Sequence, residues 1–241
     1  LSRAGPPCGS YIGCSSAESE GYKRQYVSCE PGKPWMFVHG LATGNRTKVA
    51  DFPGLNSAPA WSDDGRSLLM TLSKDGNAEI YRMNLDTRQL TKLTNHWAID
   101  TEPSYDATGK GIFFTSDRSG GPQIYHMDTP GAEPRRITFG SRYNARPRPD
   151  NDGNYVYYVH QRDRAFHIAR TELKTGEETI LTRTESDESP SVAPNGRMLI
   201  YATRQNGSNV LTVISADGGA AYSLPASEGD VSEPAWGPLV R

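Results

Sequence analysis

Ten polar residues stand just ahead of five regularly placed prolines: Asn56, Asp100, Thr101, Glu102, Asn144, Arg146, Asp187, Glu188, Asp230 and Glu233. Two chemistries are open to them. An Asn or Asp about three positions before a proline can accept hydrogen bonds from nearby backbone N–H groups and so close a loop. It can also face outward and meet a ligand. The carboxylates Glu102, Glu188 and Glu233 lie close to their prolines, where the chain is expected to be extended and a local cap is less natural. They are read as facing a solvent-filled canal or a partner. A ring of such carboxylates suits a hard cation such as calcium, held through oxygen ligands. It equally suits the basic or N–H-rich loop of a protein partner. His96, beside Trp97, is either a half-buried loop anchor or an interface residue, because aromatic groups dominate binding hot spots.

Catalytic patterns are missing from the same inventory. The sequence has no G-x-S-x-G, H-E-x-x-H, C-x-x-C or Walker loop, and its five histidines show no metal-ligand spacing. Asp150-Asn151-Asp152-Gly153 has the residue types of a calcium loop but lacks its distal Glu, so a turn is expected. Arg135, Arg136, Arg142, Arg146 and Arg148 form the one basic concentration. With only Tyr143 among them to stack on bases, they read as a solvated face. The expectation is a binding protein without catalysis.

The elements that must position these groups recur. The prolines at Pro59, Pro103, Pro147, Pro190 and Pro234 are 44, 44, 43 and 44 residues apart, and Gly65, Gly109, Gly153 and Gly196 follow with the same spacing. E-I-Y at Glu79–Tyr81 and Q-I-Y at Gln123–Tyr125 mark the same beat. Each unit contains four short runs of strand length separated by turn residues, as in Ala58–Trp61, Ser67–Leu72, Glu79–Leu85 and Gln89–Leu93. No ten-residue stretch has a helical period. Four strands per 40–45 residues predict an all-β fold, a β-propeller of four-stranded blades. Counted from the prolines, the blades cover about 15–58, 59–102, 103–146, 147–189 and 190–233, with a closing strand at 234–241 and an irregular lead-in over 1–14. Trp61 and Trp236 share one repeat position and are expected in the core between blades. The final strand either completes the first unit, giving five blades, or belongs to a sixth.

Composition agrees. The 241 residues carry a formal charge of −2 with both signs interspersed, so no field favours nucleic acid or an anionic membrane. No apolar run approaches the ~20 residues of a membrane span. Cys8, Cys14 and Cys29 are odd in number and irregular in spacing; a Cys8–Cys14 bridge is open in an oxidising compartment, with unpaired thiols the preferred reading. A start at Leu1, without a basic and then apolar leader, reads as a processed chain or a fragment.

The repeats resemble a known family. D-F-P-G-L-N-S-A-P-A-W-S-D-D-G (Asp51–Gly65), D-T-E-P (Asp100–Pro103), F-F-T-S-D-R-S-G-G-P-Q-I-Y (Phe113–Tyr125), D-E-S-P-S-V-A-P-N-G (Asp187–Gly196) and E-P-A-W (Glu233–Trp236) are similar to the carboxy-terminal propeller of the TolB family of the Tol-Pal system. The resemblance runs from about Glu30 to Leu239. It implies a six-bladed propeller behind an amino-terminal α/β domain, exported to the periplasm. It further implies binding of the lipoprotein Pal by the propeller, coupling of an amino-terminal arm to TolA, and colicins that compete with Pal. Calcium in the canal is also implied, as is a role in outer-membrane integrity and cell division. The alternative is an accessory propeller of a prolyl-oligopeptidase-type hydrolase whose catalytic domain lies elsewhere.

Overall fold

The computed structural model of the chain describes residues 13–15, 23–28, 33–224 and 231–237. Its twenty strands form five antiparallel sheets of four, each a meander of consecutive strands. Blade I holds β1 (Gly13–Ser15), β2 (Lys23–Ser28), β3 (Trp35–Gly40) and β4 (Arg46–Ala50). Blade II holds β5 (Asn56–Trp61), β6 (Ser67–Leu72), β7 (Glu79–Asn84) and β8 (Leu90–Lys92). Blade III holds β9 (Asp100–Tyr105), β10 (Ile112–Ser116), β11 (Gln123–Met127) and β12 (Arg135–Arg136). Blade IV holds β13 (Asn144–Pro149), β14 (Tyr155–Arg162), β15 (Ala165–Glu172) and β16 (Glu178–Ile180). Blade V holds β17 (Glu188–Val192), β18 (Met198–Gln205), β19 (Ser208–Ser215) and β20 (Ala221–Ser223). No helix occurs among the described residues, and so none is long and apolar enough to cross a membrane.

The second strands are apolar on both faces because each sheet is sandwiched between its neighbours. In β6, Leu68, Met70 and Leu72 point toward blade I and pack with Met36, Val38 and Val49. Leu69, one residue out of phase, packs with Ile112, Phe114 and Met127 of blade III. A period of two thus feeds two separate cores from one strand. The same arrangement joins blade III to IV through Phe113, Ile124, Val156 and Tyr158. Blades IV and V are joined through Tyr157, Ile168, Leu199 and Ile214. Trp61 packs, half-buried, against the first of these cores.

The recurrent glycines close the turn after the first strand. Gly65 and Gly109 adopt φ of 65° and 68°, and their N–H groups donate to Ser62 O and Asp106 O at 2.9 and 3.0 Å. This left-handed conformation is inexpensive only for glycine. Asp150-Asn151-Asp152-Gly153 is likewise a turn, with Asp150 Oδ1 accepting from Asn154 N and Tyr155 N.

The first strands are not simply extended. In blades II to V the ladder between first and second strand carries one extra residue, between Ser57 and Ala60, Thr101 and Ser104, Ala145 and Arg148, and Glu188 and Ser191. Proline offers no N–H to the ladder, so the strand bulges there. The residue before each proline is left-handed: φ is 50° at Ala58, 54° at Glu102, 60° at Arg146, 55° at Ser189 and 54° at Glu233. This corrects the extended geometry expected at Glu102 and Glu233. Glu188 stands one place earlier, and Ser189 holds the pre-proline position.

Blade I has four strands of its own, beginning at Gly13. The segment 231–237 does not join that sheet. It lies along blade V instead, with Trp236 N donating to Ser191 Oγ at 3.1 Å and Val231 N to Asn209 O at 3.4 Å. Trp236 is half-buried there, outside the apolar clusters found between blades.

Candidate functional site at the canal

Asn56, Asp100 and Asn144, which open their first strands, and Asp187, which immediately precedes β17, are fully buried. Asn56 Nδ2 donates to Phe52 O at 2.7 Å, and its Oδ1 accepts from Phe52 N at 3.1 Å. Asp100 takes both oxygens to Arg118, at 3.0 and 2.8 Å. Asn144 donates to Gln123 Oε1 and pairs through Oδ1 with His160 Nδ1, both at 2.9 Å. Asp187 accepts from Thr182 Oγ1 and, at 2.5 Å, from Thr184 Oγ1. These side chains anchor the loops at one canal mouth and present nothing to a partner. Only Asn56 accepts from a backbone N–H as a local cap; Asp100, Asn144 and Asp187 close their loops through side-chain partners instead. Asp230 lies outside the described residues.

Residues that sequence reasoning passed over hold the same loops. Glu79 and Gln123, the first letters of the E-I-Y and Q-I-Y markers, are buried. Glu79 accepts from Thr94 Oγ1 at 2.6 Å and His96 N at 2.8 Å. Gln123 accepts from Thr138 Oγ1 and donates to Ser141 O, each at 2.8 Å. Thr94, Thr138 and Thr182 in turn accept from Ile80 N, Ile124 N and Ile168 N at 2.9 to 3.0 Å. A threonine recurring at this interval was the available signal. His96 is half-buried and serves its own loop, accepting from Ala98 N at 3.1 Å.

On this frame the mouth loops carry apolar groups into solvent. Trp97 is 79% exposed, Phe139 71%, Ile99 49% and Leu55 40%. Between blades IV and V a cavity of about 280 Å³ is lined by Tyr143, Arg146, Phe166, Glu188 and Arg204, with Tyr143 and Phe166 meeting edge to face at 5.4 Å.

Inside the mouth, the left-handed bulge residues converge. Arg146 Nε lies 3.1 Å from Glu102 Oε1, and Arg146 Nη1 lies 2.5 Å from Glu233 Oε1 and also meets Ser189 Oγ. Thr115 Oγ1 donates to Glu102 Oε2 at 3.0 Å and accepts from Arg146 N at 3.1 Å. Thr71 Oγ1 similarly accepts from Glu102 N at 3.2 Å and lies 3.3 Å from Thr101 Oγ1. Arg146 and Arg148 are therefore canal residues, while Arg135 and Arg142 are exposed; the five arginines are not one solvated face. The donor set does not suit calcium. A guanidinium already bridges Glu102 and Glu233, and no cluster of three acidic, His or Cys groups fit for a metal occurs among the described residues.

A family model described as the TolB beta propeller domain matches residues 14–240. The chain belongs to the TolB β-propeller family. The match begins earlier than the sequence motifs alone suggested, at the strand β1. The chain is 61% identical over 222 residues to a protein of Alcanivorax borkumensis named Tol-Pal system protein TolB, covering 92% of this chain and 51% of that one. It is 52% identical to the protein of that name from Ruthia magnifica, over 89% of this chain and 51% of the other. Among solved structures, TolB from Acinetobacter baumannii superposes with a TM-score of 0.87 at 42% identity, covering 95% of this chain and 58% of that one. The chain spans about half the length of the TolB relatives it matches. TolB membership displaces the hydrolase-accessory alternative.

Proposed function

We propose that this TolB propeller is a non-catalytic docking module of the Tol-Pal system that receives Pal, in the periplasm, at the mouth framed by Leu55, Trp97, Ile99 and Phe139. One observation carries the reading. Large apolar side chains project into solvent from loops whose bases are clamped by buried Asn, Asp, Glu, Gln and Thr side chains. Exposed apolar groups on a pre-ordered frame bind with little ordering cost, which is how affinity is gained per unit of buried area. Arg204 and Glu188 beside the notch supply polar groups to fix the register of the partner. TolA coupling belongs to the longer protein, and colicins are competitors for the same mouth. Support of outer-membrane integrity and division follows from the Pal contact.

Alanine at Trp97 and Phe139 together is expected to weaken binding of the soluble domain of Pal by tenfold or more, because central aromatic anchors carry about 2 kcal/mol or more each. Both side chains are exposed, so thermal unfolding should stay where it was. Unchanged affinity in a folded variant would remove the mouth from the account.

A further inference from the structure

The opposite half of the canal holds a second feature. A cavity of about 560 Å³ opens between the Asp-Gly turns, and one of about 260 Å³ leads to the bulge residues. Both are lined by Gln25, Ser104, Arg148 and Ser191, so Arg148 stands where the two chambers meet. Its one hydrogen bond among the described residues runs from Nη1 to Pro147 O at 2.8 Å. Gln25 is 4% exposed, and its Oε1 has no hydrogen-bond partner, while its Nε2 donates to Pro59 O at 3.4 Å. Trp61 Nε1 and Tyr105 Oη, on residues lining the same chamber, are buried and also lack partners.

Most of the charges around this chamber are already committed, whereas the Arg148 guanidinium is not. Glu102 and Glu233 act on it through space; both Glu102 oxygens are taken up by Arg146 and Thr115, and Glu233 Oε1 by Arg146. Asp106 accepts from Thr108 N, Gly111 N and His126 Nε2, and Asp150 from Asn154 N and Tyr155 N. Asp63 remains at the exposed rim. A guanidinium with unused N–H groups is a planar fork that matches one carboxylate through two parallel bonds. The acidic rim disfavours a dianion such as phosphate. The unpaired Gln25 Oε1 asks for an N–H donor on the same ligand, because a buried polar atom left unpaired is costly.

We propose that this chamber binds a carboxylate with an amide N–H nearby, the chemistry of a peptide end or an acidic side chain on a threaded segment, with Arg148 as its cationic anchor and Gln25 as its acceptor. The site is distinct from the mouth assigned to Pal, and it stands or falls without it.

The Trp61 indole N–H resonance of nitrogen-15-labelled chain, identified by its loss in Trp61→Phe, reports on the chamber. Titration with N-acetylglycine at fixed ionic strength should shift it saturably. The neutral N-acetylglycinamide should not. Arg148→Gln should weaken the response about tenfold or more, as expected for a charge-assisted pair, and Arg148→Lys should restore part of it. Tighter binding of N-acetylglycine than of acetate supports the Gln25 contact and a peptide source, and equal binding overturns the amide part of the proposal. No saturable shift with either acid, or an equal shift with the neutral amide, overturns the site. That comparison is made in the unsubstituted chain and holds even if Arg148→Gln fails to fold.

Discussion

At the scale of single residues, position in the bulge decides role. Arg146 looked like one of a surface cluster and is instead the bridge between Glu102 and Glu233. The reason is conformational. A left-handed residue turns its side chain off the alternation of the strand, at roughly 1–2 kcal/mol for a residue with a Cβ. Pre-proline preference favours an extended chain, and nothing local announces the opposite. His160 shows a second kind of residue effect. It is buried against Asn144 and lies 3.7 Å from Glu178, and burial holds its imidazole below the usual histidine range of about 6.5 despite the pull of that carboxylate. The unfolded chain therefore binds the proton more readily. Stability from a neutral His160 is present above about pH 6.5 and is lost as pH falls through the lower folded value. Urea midpoints should fall between pH 7 and 5.5 in the parent chain and fall less in His160→Gln. Parallel pH profiles would contradict the assignment.

Individual strands share one device, and it recurs by position. Thr71 and Thr115, on the second strands of blades II and III, each accept the N–H of the left-handed residue in the next blade. Thr203 occupies the same place in blade V, buried and without a partner. Thr115→Val should cost about 0.5–1.5 kcal/mol, because it removes the hydroxyl's bonds to Arg146 N and Glu102 Oε2, which keep their direct bond to each other at 3.0 Å. Thr203→Val removes no bond and should cost far less. Chemical denaturation of the two variants compares them directly, and equal losses would mean the hydroxyl bridge between blades contributes nothing. Strand positions were legible in the sequence because the 44-residue spacing of proline and glycine is imposed by turns and bulges. Observed β6 matches the expected Ser67–Leu72, and β7 stops one residue short of the expected Glu79–Leu85. The hydrogen bonds between blades were not legible, since they join residues about thirty positions apart through side chains with no distinctive local pattern.

Taken whole, the molecule has apolar cores at the junctions I–II, II–III, III–IV and IV–V. Blades II, III and IV are thus packed on both faces. Blade V carries Tyr222 and Leu224 exposed, at 65% and 40%. Amide exchange should be slowest in β6, β10 and β14 and faster in β2 and β18, because local opening follows the apolar contacts that must be broken. Uniform protection across all five second strands would imply a fifth core joining V to I. The propeller architecture was visible in the repeat. The loops of the proposed mouth were legible only in part, through His96 and Trp97, since the exposure of Phe139 and Ile99 depends on which way each loop is clamped.

The most direct trial of the central claim is amide-exchange footprinting of the chain with and without the soluble domain of Pal. Saturable binding is expected, with new protection over 94–99 and 137–143 at the mouth and the turns at Gly65, Gly109 and Gly153 unchanged. Protection confined to those turns, or a folded chain that shows none at any Pal concentration, would contradict it.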